Sequence, residues 1–131
     1  VTRSSRADML DVQPLRTVLQ AEDVLQLQQI ASELPLDEQV LDYAVRLARA
    51  TRSWPGLAIG AGPRASIALV RGARARALLR AGAFVTPDDI KGCALAVLRH
   101  RVRIAPELDI DGLEVDQVLK QMLDQISAPR Q

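Results

Sequence analysis

The stretch Gly60-Ala61-Gly62-Pro63-Arg64-Ala65-Ser66 joins a flexible turn to a helix that begins at proline. Proline suits the first helical position, because its missing amide hydrogen would be unpaired there and its backbone angle is already helical. The helix is expected to run to about Arg80. At 100° per residue its apolar side chains, Ile67, Leu69, Val70, Ala73, Ala77, Leu78 and Leu79, point almost all round. That is the pattern of a central helix packed on several sides, with Ala65, Ala68, Ala73 and Ala75 letting neighbours approach closely. A chain organised round such a helix is expected to be all-α, a small bundle of about five helices.

Downstream, Gly82 fits a terminating position, and Phe84-Val85 leads into Thr86-Pro87-Asp88-Asp89. Thr86 can cap the next helix, Pro87 takes its first position, and Asp89 stands where a capping-box acid belongs, near the positive end of the helix dipole. Ile90, Cys93, Ala94 and Val97 form its apolar face, and Arg99, His100 and Arg101 complement its negative end. After Pro106 and Gly112 a last helix sets Val115, Val118, Leu119, Met122, Leu123 and Ile126 on one side. Upstream, Val24, Leu27, Ile30 or Ala31, and Leu34 line one face of a helix starting at Ala21 and ended by Pro35. A second helix opens near Asp37 with Val40, Leu41, Ala44, Leu47 and Ala48 on one stripe. Three glycines and Ser53-Trp54-Pro55-Gly56 between Thr51 and Pro63 read as a long loop, and no convincing strand or internal repeat is found.

The 131 residues suit one domain with a real core. Residues 1–14, polar and without period, read as a tail or the end of a preceding domain, and residues 15–131 as the helical domain. A single cysteine cannot form an internal disulfide, and no apolar run approaches about 18 residues, so a reduced, cytoplasmic, non-membrane setting is expected. Beginning at Val1 rather than methionine, the chain is expected to be an excised piece. Although the formal net charge is +1, Arg64, Arg71, Arg74, Arg76, Arg80, Lys91, Arg99, Arg101 and Arg103 face only Asp88 and Asp89 in their segment. Glu107 to Asp124 is acidic, so the halves are expected to attract each other or to meet charged neighbours across a subunit boundary.

From roughly Leu15 to Pro129 the order of signals resembles the C-terminal lid of MoxR-type AAA+ ATPases. The matching pieces are Tyr43 with Ala50-Thr51-Arg52, then Gly60-Ala61-Gly62-Pro63-Arg64-Ala65, Ala73-Arg74-Ala75, Val85-Thr86-Pro87-Asp88-Asp89 and Val97-Leu98-Arg99-His100-Arg101. Gly62 departs from the serine usual in the family. The resemblance implies a lid following an α/β nucleotide-binding core, in a parent that forms rings, usually hexamers, and acts as a chaperone-like remodeler, often with von Willebrand factor A-domain partners. It implies ATP with magnesium held mainly by the core, with Arg64 as a sensor arginine directed at the γ-phosphate and Tyr43 contributing to the adenine cavity.

Arg64 also has a physical case of its own. A guanidinium is permanently charged and its fork of donors matches phosphate oxygens, while the start of a helix offers unpaired amides that suit an anion. Against this stands a solvated arginine with no ligand. Tyr43, on an amphipathic helix, reads more readily as core with its hydroxyl at the rim than as part of an adenine cavity. His100 is the only histidine and suits capping or a subunit contact. Cys93 reads as a small buried hydrophobe, and Trp54 as an interface anchor or a core cover. No G-x-x-x-x-G-K-[ST] loop, magnesium-holding acidic pair or nucleophile with a base at workable spacing occurs, so no autonomous ATPase is expected of this chain.

Two rival readings are a helical protein-interaction module and a nucleic-acid-binding module. The second needs its arginines on one exposed face, whereas Arg64 and Arg71 share a side of their helix and Arg76 and Arg80 point roughly opposite.

Overall fold

A computed structural model describes residues 16–129, so the tail assigned to residues 1–14 lies outside the described residues. The helices are α1 (Ala21–Glu33), α2 (Glu38–Ala50), α3 (Arg64–Leu79), α4 (Pro87–Leu98), α5 (Pro106–Ile110) and α6 (Val115–Gln125), with strands β1 (Leu57–Ile59) and β2 (Arg103–Ile104) between them. The all-α class holds, with two additions to the expected five helices. Pro106 starts the single turn of α5. The expected long loop contains β1, which pairs antiparallel with β2, Leu57 opposite Ile104. Strands of three and two residues carry too little periodicity to announce themselves, and each pairs with a segment far away in the chain.

The central helix is α3, which packs against α1, α2 and α4. Its deep stripe is Ala65, Leu69, Ala73 and Ala77, one residue every four, so three of four contacts are alanines and the neighbouring axes can lie close. Ile67 and Leu79 are exposed, contrary to the all-round burial that the periodicity suggested. Gly72 helps the approach of α4, since a Cβ there would sit 3.1 Å from the Cys93 sulfur.

On α2 the inward residues are Val40, Tyr43, Ala44, Leu47 and Ala48. Tyr43 takes the inward place expected of Leu41, which is exposed. Asp37 caps this helix, accepting the Gln39 amide at 2.8 Å. Helix α1 forms where its pattern placed it, yet none of its residues is buried, and Val24, Leu25, Leu27 and Ile30 remain exposed.

The Thr86-Pro87-Asp88-Asp89 reading is met in full. The Thr86 hydroxyl accepts the Asp89 amide and the Asp89 carboxylate accepts the Thr86 amide at 2.9 Å, closing a capping box. At the far end of α4, Arg99 Nε donates to the Leu95 carbonyl at 3.4 Å and Arg101 Nη1 to the Val97 carbonyl at 2.6 Å. Helix α6 buries Val118, Leu119, Met122 and Leu123 against the core and is tied to α4 by Lys91–Asp124 at 2.9 Å and Arg99–Asp116 at 3.0 Å. These are two of the attractions expected between the basic middle and acidic end, and at such exposed sites each contributes at most about 1 kcal/mol.

Candidate functional site

The corner that holds Arg64 is built from the end of α2 at Ala50 and the start of α3 at Arg64. Thr51, fully buried, donates its hydroxyl to the Ala48 carbonyl at 2.7 Å and accepts the Ala61 amide at 2.8 Å. Arg52 Nε donates to the Ala61 carbonyl at 3.0 Å. Both polar groups at Ala61 are therefore held by side chains of the α2 terminus, and Ala61 itself is buried.

Gly60 is required by this approach, because a Cβ there would lie 2.4 Å from the Arg52 Cα and 2.6 Å from the Thr51 carbonyl oxygen. A Cβ on Gly62 would meet nothing within 4 Å, so the serine usual at this place in the family would fit. Pro63 has helical angles, φ −57° and ψ −29°, and the Gly62 carbonyl accepts the Ala65 amide at 2.9 Å. The Ser66 hydroxyl donates to the Pro63 carbonyl at 2.7 Å, which tightens the first turn.

Arg64 emerges from this clamp exposed, and among the described residues its guanidinium has no acidic partner and no hydrogen bond. The same corner carries more positive charge. Arg46, Arg49, Ala50, Arg52 and Ser53 line an open hollow of about 400 Å³, and among the described residues only Arg46 of its arginines has a carboxylate, Asp42 at 2.8 Å. The arrangement can bind and orient an anion. It offers no general base or nucleophile.

The other candidate residues separate from Arg64. Tyr43 is wholly enclosed in the core, its hydroxyl without a hydrogen-bond partner and its ring 5.4 Å beneath the Arg46 guanidinium. Burial holds its phenol above the usual tyrosine range. The hydroxyl is thus deeper than the rim position that an amphipathic helix suggests. Cys93 donates to the Ile90 carbonyl at 3.3 Å, and burial pushes its thiol up, as for a packed side chain rather than a nucleophile. His100 is exposed and lies against Arg101. Trp54 is partly buried against the core. Among the described residues no three histidine, cysteine or acidic side chains gather as a metal site, and no helix is long and apolar enough to cross a membrane.

Sequence reasoning missed one polar cluster, the fork of Arg80 on Asp89. Arg80 Nη2 reaches Asp89 Oδ2 at 2.7 Å, Nε reaches Oδ1 at 3.0 Å, and Nη2 also donates to the Phe84 carbonyl at 2.8 Å. The Arg80 guanidinium, against the upward push of burial and with help from the Thr86 hydrogen bonds, holds the Asp89 carboxyl down at about 2. The available signal was a capping-box acid nine residues after an arginine at a helix end.

The family described as the AAA lid domain matches residues 49–122, the span from the Thr51 clamp to α6. The chain is 32% identical over 120 residues to the uncharacterised protein YeaC of Bacillus subtilis, covering 92% of this chain and 38% of YeaC. It is 32% identical over 126 residues to the chaperone MoxR1 of Mycobacterium tuberculosis, covering 88% of this chain and 33% of that protein. A crystal structure of a candidate ATPase from Cytophaga hutchinsonii superposes with a TM-score of 0.77 at 27% identity, over 83% of this chain and 36% of that one. The chain spans 33–38% of the length of these relatives.

Proposed function

Because the chain belongs to the AAA lid domain family, in its MoxR-type branch, we propose that it is the lid of a MoxR-type AAA+ ATPase and presents Arg64 to the γ-phosphate of ATP held by the parent's core. The observation that carries this reading is the clamp. Thr51 and Arg52 fix both polar groups at Ala61, which anchors the first turn of α3, and the one long cation on that turn has no partner among the described residues. A permanent cation on a fixed stem suits a phosphate whose presence is to be sensed.

The residues present fit a nucleotide phosphate in charge and in donor geometry. They do not form a magnesium site among the described residues, so the metal's ligands are assigned to the core domain. When bound, ATP with magnesium supplies the phosphoryl group to be transferred. This chain's part would be to bind and orient: Arg64 would hold the γ-phosphate by charge and donor geometry and draw the lid toward the core only while that contact exists. Tyr43 is covered by the chain's own side chains, so its part in an adenine cavity would require α2 to part from its neighbours, and the reading rests on Arg64. In the parent, the lid's position would couple nucleotide state to assembly of a cytoplasmic ring, a hexamer in the family's usual form, and to chaperone-like remodeling with a von Willebrand factor A-domain protein as a candidate partner.

The test is the ATPase rate and ATP affinity of the longer parent, wild type against Arg64→Ala, at matched assembly state. A fall in turnover of about tenfold or more with the ring intact is expected, since charged transition-state contacts contribute at least that much. Unchanged turnover and affinity would remove Arg64 from the site and leave an interaction module without a nucleotide role.

A further inference from the structure

We propose that this domain carries a head-to-tail contact for a second copy of itself: an acidic, isoleucine-tipped knob at α5 that seats in an arginine-walled groove between α1 and α3. The groove is a hollow of about 600 Å³ lined by Gln28, Ala31 and Ser32 of α1 and by Arg71, Arg74 and Ala75 of α3. Among the described residues neither Arg71 nor Arg74 lies within ion-pair distance of an acid. Arg74 Nε is in addition buried and makes no hydrogen bond there. A buried donor of a charged group without a partner is expensive, and an incoming carboxylate relieves it.

The acidic complement lies on α5 and the chain just after it. Glu107, Asp109, Asp111 and Glu114 are exposed, and among the described residues none has a cation within ion-pair distance. With Asp116 they outnumber the neighbouring cations Arg99 and Arg103, and Arg99 already holds Asp116 at 3.0 Å. In their midst Ile110 is 86% exposed at the end of α5. An apolar tip inside a ring of acids and a groove walled by arginines are complementary in sign.

Placement makes the contact intermolecular. Helix α1 packs on α3, α3 on α4, and α4 on α6, which in turn meets β2, the strand leading into α5. Among the described residues none of these acids lies within ion-pair distance of Arg71 or Arg74, so a contact of knob with groove is one between two molecules. Two different patches of one molecule that fit each other give a heterologous interface, which propagates head to tail and closes into a ring when the rotation permits. A single knob in a single groove falls below the area of standard stable interfaces, so a dissociation constant on the order of 0.1–1 mM is expected. The inference does not depend on the nucleotide role of Arg64.

The experiment is a series of amide correlation spectra of the 15N-labelled 131-residue chain from about 0.05 to about 2 mM. Expected is a set of concentration-dependent shifts confined to residues 28–32 and 71–75 and, together with them, to 107–114, suppressed by 0.5 M salt. Arg71→Glu and Asp109→Lys/Asp111→Lys should each weaken self-association at least about tenfold, all three positions being exposed so that the fold survives. Mixing the two variants at equal concentration should restore it, because each reversed patch then faces its complement on the other protein. Absence of shifts up to about 2 mM, shifts at one patch alone, or failure of the mixture to recover would each overturn the proposal. The nucleotide reading is tested separately, by turnover of the parent.

Discussion

At the scale of single residues, stability and site geometry depend on a few buried polar atoms. Thr51→Val keeps the shape of the side chain but leaves the buried Ala61 amide without its acceptor. A loss of about 1–3 kcal/mol in urea unfolding is expected, the cost of an unsatisfied buried donor. Asp89 gives a pH signature. Its folded-state pKa, about 2, lies below the ordinary 3.8, so its contribution is complete above about pH 4 and is lost as pH falls through that interval toward 2. Wild type should therefore lose stability in that window by an amount that Asp89→Asn does not, as read by thermal melts between pH 2 and 5. Both residues could be picked out in the sequence, Asp89 from its place in a capping box and Thr51 only as one letter of a family resemblance. Their partners could not. Arg80 and Ala61 are nine and ten positions away, and only the fold decides that such pairs touch.

At the scale of elements, local chemistry set the boundaries with one displacement. Gly82 marks the end of α3, yet the left-handed residue there is Ala81, φ +56°. The Gly82 amide donates to the Ala77 carbonyl at 2.8 Å and the Ala81 amide to the Leu78 carbonyl at 2.9 Å, so alanine occupies the position a glycine prefers in this terminating turn. Ala81→Gly should accordingly stabilise the domain by about 0.5–1 kcal/mol in chemical denaturation, relief of the steric strain exceeding glycine's entropic cost. The element that sequence reading missed, the β1–β2 pair, shows the opposite limit. Helices announce themselves through a repeat along one segment, whereas two- and three-residue strands exist only because each finds the other.

At the scale of the whole molecule, burial is uneven. Ala65, Leu69, Ala73 and Ala77 of α3 and Ile90, Ala94 and Leu98 of α4 are fully enclosed, while α1 buries nothing. Native-state hydrogen exchange should find α1 opening with the smallest free energy of the long helices, and α3 and α4 opening only with global unfolding. Equal protection of α1 would show that its exposed apolar face is covered in solution. What the sequence by itself determined was the all-α class, the order of the main helices, the capped start of α4 and the arginine at the head of α3, because each follows from spacing and capping within a few residues of chain. What only the tertiary structure decided was the threonine clamp that aims that arginine, the Arg80–Asp89 fork, the burial of Tyr43, and the separation of an acidic knob from a basic groove. Those rest on contacts between segments far apart in the chain, and the free energy that selects them comes from burying many side chains at once.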